Sequence, residues 1–257
     1  MVNMQRRNII KQHILSHGSA SAAELAKIFE VSGETIRRDL AQLENEGYVK
    51  RNYGGAVAVD ELRRIIDGIP PVQQRKFENA GEKARIALAA ANMVHEEMCV
   101  YLDAGSTSWS MLRFLNSAKL NVITNSLDIA TECSLKEGWN IVVLGGQLSK
   151  KSMCMVGPEA EAHIHRINID VAFLGSSGVS RLRGFSSSDI HEAQLKKKVL
   201  SKSYKTVVIA DSAKIDRINL YTFATFDDVN CFITTIGGID DDFRAKAEES
   251  DMELIET

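Results

Sequence analysis

The chain has 257 residues, with 31 Lys and Arg against 34 Asp and Glu, a formal charge of -3, 44% hydrophobic residues and 25% charged ones. These values exclude collagen-like and disordered classes and allow about one to two domains with real cores. No window approaches the ~18 uninterrupted apolar residues of a membrane span, and residues 1–11 carry Arg6 and Arg7 without an apolar stretch or a small-residue cleavage site, so a cytoplasmic protein with no membrane role is expected.

The first predicted element is a helix over Met4 to His17, with Ile10, Ile14 and Leu15 at roughly helical spacing and Gly18 ending it. Ser21-Ala22-Ala23-Glu24 has capping-box spacing and opens a short helix, Ala22 to Phe29, expected to bury Leu25, Ile28 and Phe29. Ser32 can cap a third helix running to about Glu46, with Gly47 at the C′ position. Ile36, Leu40 and Leu43 form its apolar stripe, while Thr35, Arg37, Arg38 and Gln42 lie elsewhere on it. The run from Tyr48 to Val57, two short apolar stretches around polar residues and glycines, predicts a β-hairpin. Two helices joined by a tight turn and followed by a hairpin make a winged helix-turn-helix. Charge agrees with it: residues 1–57 hold eight basic and six acidic side chains, a balance of +2, against -5 for the other 200 residues. A third helix of this kind fits a major groove, Arg can bond guanine in bidentate fashion, and helix N-termini and basic side chains meet phosphates. The competing reading is a small helical bundle in which Arg37 and Arg38 make surface pairs with Asp39, Glu34 or Glu44.

The stretch Ser32-Gly33-Glu34-Thr35-Ile36-Arg37-Arg38-Asp39-Leu40, with Arg6, Ile10 and Ile14 at their spacings, resembles the signature of the DeoR-type bacterial transcription regulators. Arg51-Asn52-Tyr53-Gly54-Gly55-Ala56 is similar to that family's wing. The resemblance implies binding to double-stranded operator DNA, with Ser32, Thr35, Arg37, Arg38 and Gln42 on or at the recognition helix and Lys50 and Arg51 on the wing as the expected contacts. Asp39 is expected to orient Arg38 or the turn, since phosphate repels a carboxylate.

Residues 58–79, with Asp67-Gly68-Ile69-Pro70-Pro71, read as a linker between a 1–57 DNA-binding domain and an 80–257 domain. In the latter, a helix over Gly81 to Val94 precedes alternating strands and helices. The strands fall at Cys99–Leu102, Asn121–Thr124, Ile141–Leu144, Val171–Leu174, Thr206–Ala210 and Cys231–Thr234; helices begin at Ser108 and Leu127. Continuous apolar strands between helices predict an α/β fold with a mostly parallel sheet covered on both faces, whose ligands sit beyond the C-terminal strand ends. The loops there carry Asp103, Gly105, Ser106 and Thr107; Thr124, Asn125 and Ser126; Gly145 and Gly146; Gly175 to Gly178; and Asp211, Ser212 and Lys214. Small residues with hydroxyls and free N–H groups suit an anion, carboxylates accept from hydroxyls, and Lys214 neutralises phosphate. A phosphorylated sugar or polyol meets these demands, although Gly145-Gly146 taken alone reads as an ordinary turn.

These stretches, with Val156-Gly157-Pro158, Phe173-Leu174-Gly175, Glu192-Ala193 and Lys196, and Ala210-Asp211-Ser212-Ala213-Lys214, also resemble the same family's sugar-phosphate-sensing domain. That domain shares a fold with ribose-5-phosphate isomerase and glucosamine-6-phosphate deaminase. The resemblance implies an effector site drawing on Asp103, Gly105, Ser106, Thr107, Thr124, Asn125, Gly145, Gly146, Gly175, Glu192, Lys196, Asp211 and Lys214. It implies a homo-oligomeric repressor of a carbohydrate or polyol utilisation operon. Two departures stand out: Thr234-Thr235 where members commonly have Thr-Asp, and two arginines in Ser180-Arg181-Leu182-Arg183-Gly184. Cys99, Cys133, Cys154 and Cys231 are far apart with no CxxC, and His163 and His165 point to different helix faces, so reduced core thiols, no metal and no cofactor are expected. A sugar-phosphate isomerase would need a positioned base. Asp103, Glu192 and Asp211 qualify by chemical type only, and a ligand-controlled regulator is the reading preferred over an isomerase or a constitutive DNA binder.

Overall fold

The computed structural model describes residues 6, 7, 9–11, 13, 14, 19–45, 48–52, 54–58 and 70–257, in two units spanning Met1–Pro70 and Pro71–Thr257. Expectations at Met4, Leu15, Gly18, Glu46, Gly47, Tyr53 and residues 59–69 fall outside the described residues.

In the first unit the described residues between Arg6 and Ile14 are helical. Next come β1 (Ser19–Ser21), α1 (Ala22–Phe29), α2 (Gly33–Asn45), β2 (Val49–Asn52) and β3 (Gly55–Ala58). The capping box forms as its spacing demands: Ser21 Oγ accepts from the Glu24 N–H at 3.1 Å, and the Glu24 carboxylate reaches back to the Ser21 N–H. Ile10, Ile14, Leu25, Ile36, Leu40, Leu43 and Val49 make one core. Ile28 is not in it. It is 59% exposed, because Ala22, Ala26 and Phe29 extend the buried stripe on the other side of Leu25 and leave Ile28 beyond its margin.

The sequence gives no warning of β1, which pairs antiparallel with β3 and turns the hairpin into a three-stranded sheet of order β1-β3-β2. This pairing explains Gly55. A Cβ there would stand 2.1 Å from the Ala20 carbonyl oxygen, which is backbone and cannot step aside. Gly55→Ala is therefore expected to cost about 1–3 kcal/mol of first-unit stability, the usual range for forced overpacking; denaturant unfolding followed by circular dichroism measures it.

The second unit opens with α3 (Val72–Arg75) and α4 (Ala80–Ala91). Residues 71–79, the end of the stretch read as linker, are a packed part of this unit: Val72 is buried and its N–H donates to the Lys151 carbonyl at 3.0 Å. Seven parallel strands follow: β4 (Cys99–Leu102), β5 (Leu120–Thr124), β6 (Trp139–Val143), β9 (Ile169–Gly175), β12 (Ser203–Ile209), β14 (Cys231–Thr234) and β15 (Glu253–Glu256). Their order is β15-β14-β12-β9-β4-β5-β6, so the winding direction reverses between β4 and β9. Strand alternation sends Val100, Leu102, Val122 and Phe173 to a core under α4, α5 (Ser106–Met111) and α6 (Leu127–Cys133). Tyr101, Ile123, Ala172 and Leu174 face the other core, under α7 (Pro158–Ile164), α8 (Ile190–Leu200) and α9 (Asp241–Glu249). Two antiparallel additions complete the unit: β7 (Gln147–Ser149) with β8 (Cys154–Val156), and the sheet β10 (Gly178–Ser180), β11 (Gly184–Ser187), β13 (Tyr221–Ala224). No helix among the described residues is long and apolar enough to cross a membrane.

Candidate functional site

In the first unit, α2 is the helix whose exposed side is polar and whose N-terminus is built by Ser32. The Ser32 hydroxyl accepts from the Thr35 N–H at 3.2 Å and lies 2.9 Å from the Thr35 hydroxyl. Each hydroxyl keeps spare donor or acceptor capacity for a second partner. Arg37, Arg38 and Gln42 are exposed on this helix. The two arginines pair with Glu34 at 3.5 and 3.9 Å, with guanidinium side chains 70% and 82% exposed. Such pairs contribute about 0.3–0.5 kcal/mol and are readily exchanged for phosphate or a base edge.

Asp39 does not orient Arg38. Its carboxylate is buried and receives Arg6 Nε at 2.6 Å, with Arg7 Nε at 3.8 Å. Asp39 follows the apolar stripe of Ile36, Leu40 and Leu43 inward and meets the first helix, whereas Arg38, one position earlier and about 100° round the helix, projects to the exposed side. On the wing, Lys50 is exposed. Arg51 is anchored to α2, its N–H and Nε reaching Glu44 at 2.9 and 2.7 Å. Those two hydrogen bonds, the backbone one first, hold the Glu44 carboxyl below its usual range. The expected contacts thus share α2 and the strand bonded to its end.

In the second unit, the C-terminal ends of β4 and β9, where the winding reverses, bring together residues far apart in sequence. Asp103 is buried; its Oδ2 accepts the Gly175 N–H at 2.9 Å and forms an ion pair with the buried Lys196 of α8, whose Nζ also donates to the Gly175 carbonyl at 3.0 Å. A side chain at position 175 would crowd that carboxylate, which explains the glycine. Asn125 Oδ1 accepts from the Tyr101 hydroxyl and the Ala104 N–H, both at 3.1 Å, and its amide donates to the Met155 carbonyl at 3.2 Å. Thr124 Oγ1 donates to the Leu102 carbonyl at 2.7 Å and tethers β5 to β4. Glu192 accepts from the Ser152 hydroxyl and, at 3.5 Å, from Ser187.

Beside this group lies a second one at the end of β12. Asp211 is buried, with Oδ1 lacking any hydrogen-bond partner and Oδ2 3.9 Å from the Lys83 ammonium. A buried acceptor left open in this way is what a ligand hydroxyl or ammonium would complete. Burial pulls the ammonium groups of Lys83 and Lys214 below the ordinary lysine range; Asp211 works against this in both cases. The Thr235 hydroxyl, where the family resemblance leads to an expected carboxylate, donates to Glu82 Oε2 at 2.8 Å, and the Ser212 hydroxyl does so at 2.9 Å. Burial pushes the Glu82 carboxyl up, but the bonds from Thr235 and Ser212 outweigh it and hold the group below its usual value. A carboxylate is therefore present at this corner after all, supplied by α4.

Of the other residues expected here, Ser106 and Thr107 are buried in the first turn of α5, and the Gly105 carbonyl accepts from the Trp109 N–H within that turn. Gly146, at φ 127°, is required by a Val156 carbonyl 2.6 Å from where its Cβ would be, and Gly145 beside it is exposed. That packing accounts for Gly146 without a ligand. Sequence reasoning missed Lys83; a lysine inside an Ala-rich helix carries no periodic signal. Among the described residues no group of three or more His, Cys, Asp or Glu could hold a metal. All four cysteines are free thiols, and burial pushes Cys133 and Cys231 up to about 12.

Comparison with known proteins matches residues 6–62 to the DeoR-like helix-turn-helix domain and residues 78–235 to the DeoR C terminal sensor domain. The HTH-type transcriptional regulator IolR of Bacillus subtilis is 30% identical over 96% of this chain and 97% of its own. The glycerol-3-phosphate regulon repressor of Escherichia coli is 28% identical over 89% and 90%. Among solved structures, ribose 5-phosphate isomerase A of Methanocaldococcus jannaschii is similar over 54% of this chain and 55% of its own, with 19% identity and a TM-score of 0.39.

Proposed function

Since the chain belongs to the DeoR family of transcriptional regulators, we propose that it represses a carbohydrate or polyol utilisation operon and leaves its operator when a phosphorylated sugar or polyol binds at the C-terminal edge of the seven-stranded sheet. The observation that carries this reading is the meeting of Asp103, Lys196, Asp211 and Lys83, all buried and charged, at that edge. Burying so many charges is costly unless each is paired or held for a ligand. A polyol supplies hydroxyls to carboxylates such as Asp211, and its phosphate supplies the anion that Lys214 lacks in Asp211 alone. The name of the E. coli relative, a glycerol-3-phosphate regulon repressor, points to the same compound class.

Operator binding uses Ser32, Thr35, Arg37, Arg38 and Gln42 from α2 and Lys50 and Arg51 from the wing. Two or more copies of the chain set these heads on half-sites whose spacing follows the assembly's symmetry. The effector prefers the arrangement in which the heads are misplaced. A ~100-fold loss of operator affinity needs about 2.7 kcal/mol of coupling, within the usual range. The test is a gel shift of upstream intergenic DNA titrated with sugar and polyol phosphates: release by one of them, and not by its unphosphorylated parent, is expected. Binding insensitive to the whole set would overturn the reading.

Within the DNA interface, the residues divide by what they read. Arg37→Ala should cost about 1–3 kcal/mol on the preferred operator and relax sequence preference, whereas Lys50→Ala should weaken all DNA alike and reduce the salt slope by about one. Binding measured at several salt concentrations on specific and random duplexes separates the two; equal loss on both duplexes for Arg37→Ala would remove it from base reading.

A further inference from the structure

The chain has two tryptophans, Trp109 and Trp139, and both line one cavity of about 310 Å³ in the second unit. Leu112 and Cys133 are the buried part of its lining, and the exposed Arg113, Glu132 and Lys136 complete it. Trp139 opens β6 and pairs in register with Leu120, the first residue of β5. Leu112 and Arg113 follow the last turn of α5, and Cys133 ends α6. The cavity therefore lies toward the N-terminal ends of β5 and β6. Because β5 runs from Leu120 to Thr124, about 13 Å of strand separates this end from the one that carries Asn125.

Both indoles are held in place by the protein itself. The Trp139 Nε1–H donates to the Ser117 carbonyl at 2.9 Å, and the Lys136 ammonium stands 5.8 Å from that ring's centroid. Trp109 carries Lys76 over its ring at 4.5 Å, and Lys76 is fixed in turn by Asp128 at 2.9 Å. Aromatic walls that are already ordered cost little to bind against. Cys133 is a neutral thiol, pushed up to about 12 by burial, so the buried part of the lining is uncharged.

Charge is confined to the exposed part. There the lining side chains are two cations and one carboxylate, and neither Arg113 nor Lys136 forms an ion pair among the described residues. Indole faces suit a flat apolar body, and the surplus cation suits a single negative charge. At ~30 Å³ per water, 310 Å³ is the space of about ten waters, enough for one ring with a short acidic arm.

We propose that this cavity binds a single-ring aromatic carboxylate, its ring against Trp109 and Trp139 and its carboxylate on Arg113 and Lys136. Arg113 supplies the planar fork that matches a carboxylate, and Lys136 the point charge. The site is separate from the sheet edge that holds Asp103 and Lys196, so it gives the second unit an input independent of whatever binds there.

The two indoles make the cavity its own reporter. Full-length protein is titrated with benzoate and phenylacetate, with benzyl alcohol, acetate and inorganic phosphate as controls. Tryptophan fluorescence, excited beyond the tyrosine band, and calorimetry read binding. Both aromatic acids should give a saturable response, and each control should bind at least about 10-fold more weakly. Replacing both exposed cations, Arg113→Gln with Lys136→Gln, should weaken benzoate binding about 10- to 100-fold while leaving the melting temperature and operator binding unchanged. Trp139→Leu should weaken it about 10-fold by calorimetry. Benzoate binding no better than acetate, or equally tight binding by the double glutamine variant, would overturn the assignment. So would fluorescence that ignores both acids and shifts with protein concentration alone, which would give the cavity to a second copy of the chain. If Trp139→Leu does not fold, the double glutamine variant decides, since both of its positions are exposed.

Discussion

An Asp39→Ala chain is expected to lose operator binding entirely, although Asp39 is buried and not among the exposed side chains proposed to contact DNA. Its carboxylate is buried and is the partner of Arg6 and, more distantly, Arg7. Removing one member of a buried ion pair costs about 3–5 kcal/mol, because the remaining charge loses its counter-ion in a poorly solvated place. A unit of this size has little stability to spare. With about 4–8 °C per kcal/mol for a domain of 60–100 residues, its melting transition should fall by at least about 10 °C. Asp39→Asn keeps one acceptor for Arg6 and should fall between the two. Circular dichroism melts and a gel shift check this, and unaltered melting with intact DNA binding in Asp39→Ala would show that the pair does not support the helix.

The second large effect is expected at the other buried pair. Lys196→Met strips the cation from Asp103 and leaves the Gly175 N–H as its remaining hydrogen-bond donor. The second unit should lose about 3–5 kcal/mol. Adding Asp103→Asn should restore much of that loss, since an uncharged amide in place of the carboxylate no longer needs a counter-ion. Neither variant should release DNA in response to effector. A double-mutant cycle by denaturant unfolding measures the coupling. Additive single effects would mean that the two side chains do not stabilise one another.

Much of this arrangement is legible in the sequence, and the reason is locality. The capping box at Ser21 and Glu24 is a four-residue pattern, and the structure forms it as read. The runs at Cys99–Leu102 and Cys231–Ile233 are apolar because both faces of a central parallel strand are covered, so they stand out without any partner being known. What escaped depends on distance along the chain. Asp39 finds Arg6 thirty-three positions away, and no spacing rule connects them. Strand β1 has three residues and exists because β3 lies beside it. The sheet of β10, β11 and β13 is made of short stretches rich in Gly and Ser, such as Gly184–Ser187, which read as loop until the aromatic cluster of Phe185, Phe223 and Phe226 is seen holding them. Residues 71–79 look like a connector for the same reason: proline and polar residues describe the backbone, whereas the contacts of Val72 and Lys83 that fasten it are tertiary.

The two hydrogen bonds that Arg51 donates to Glu44 join the wing to the last turns of α2. A consequence follows for engineering. On the operator reading proposed above, the exposed side chains from Glu34 to Gln42 can be exchanged as a cassette, provided that Ile36, Asp39, Leu40 and Leu43 stay to seat the helix and Glu44 stays to carry the wing along with it. A chimaera built on that rule is expected to address a different operator while leaving the second unit unaltered.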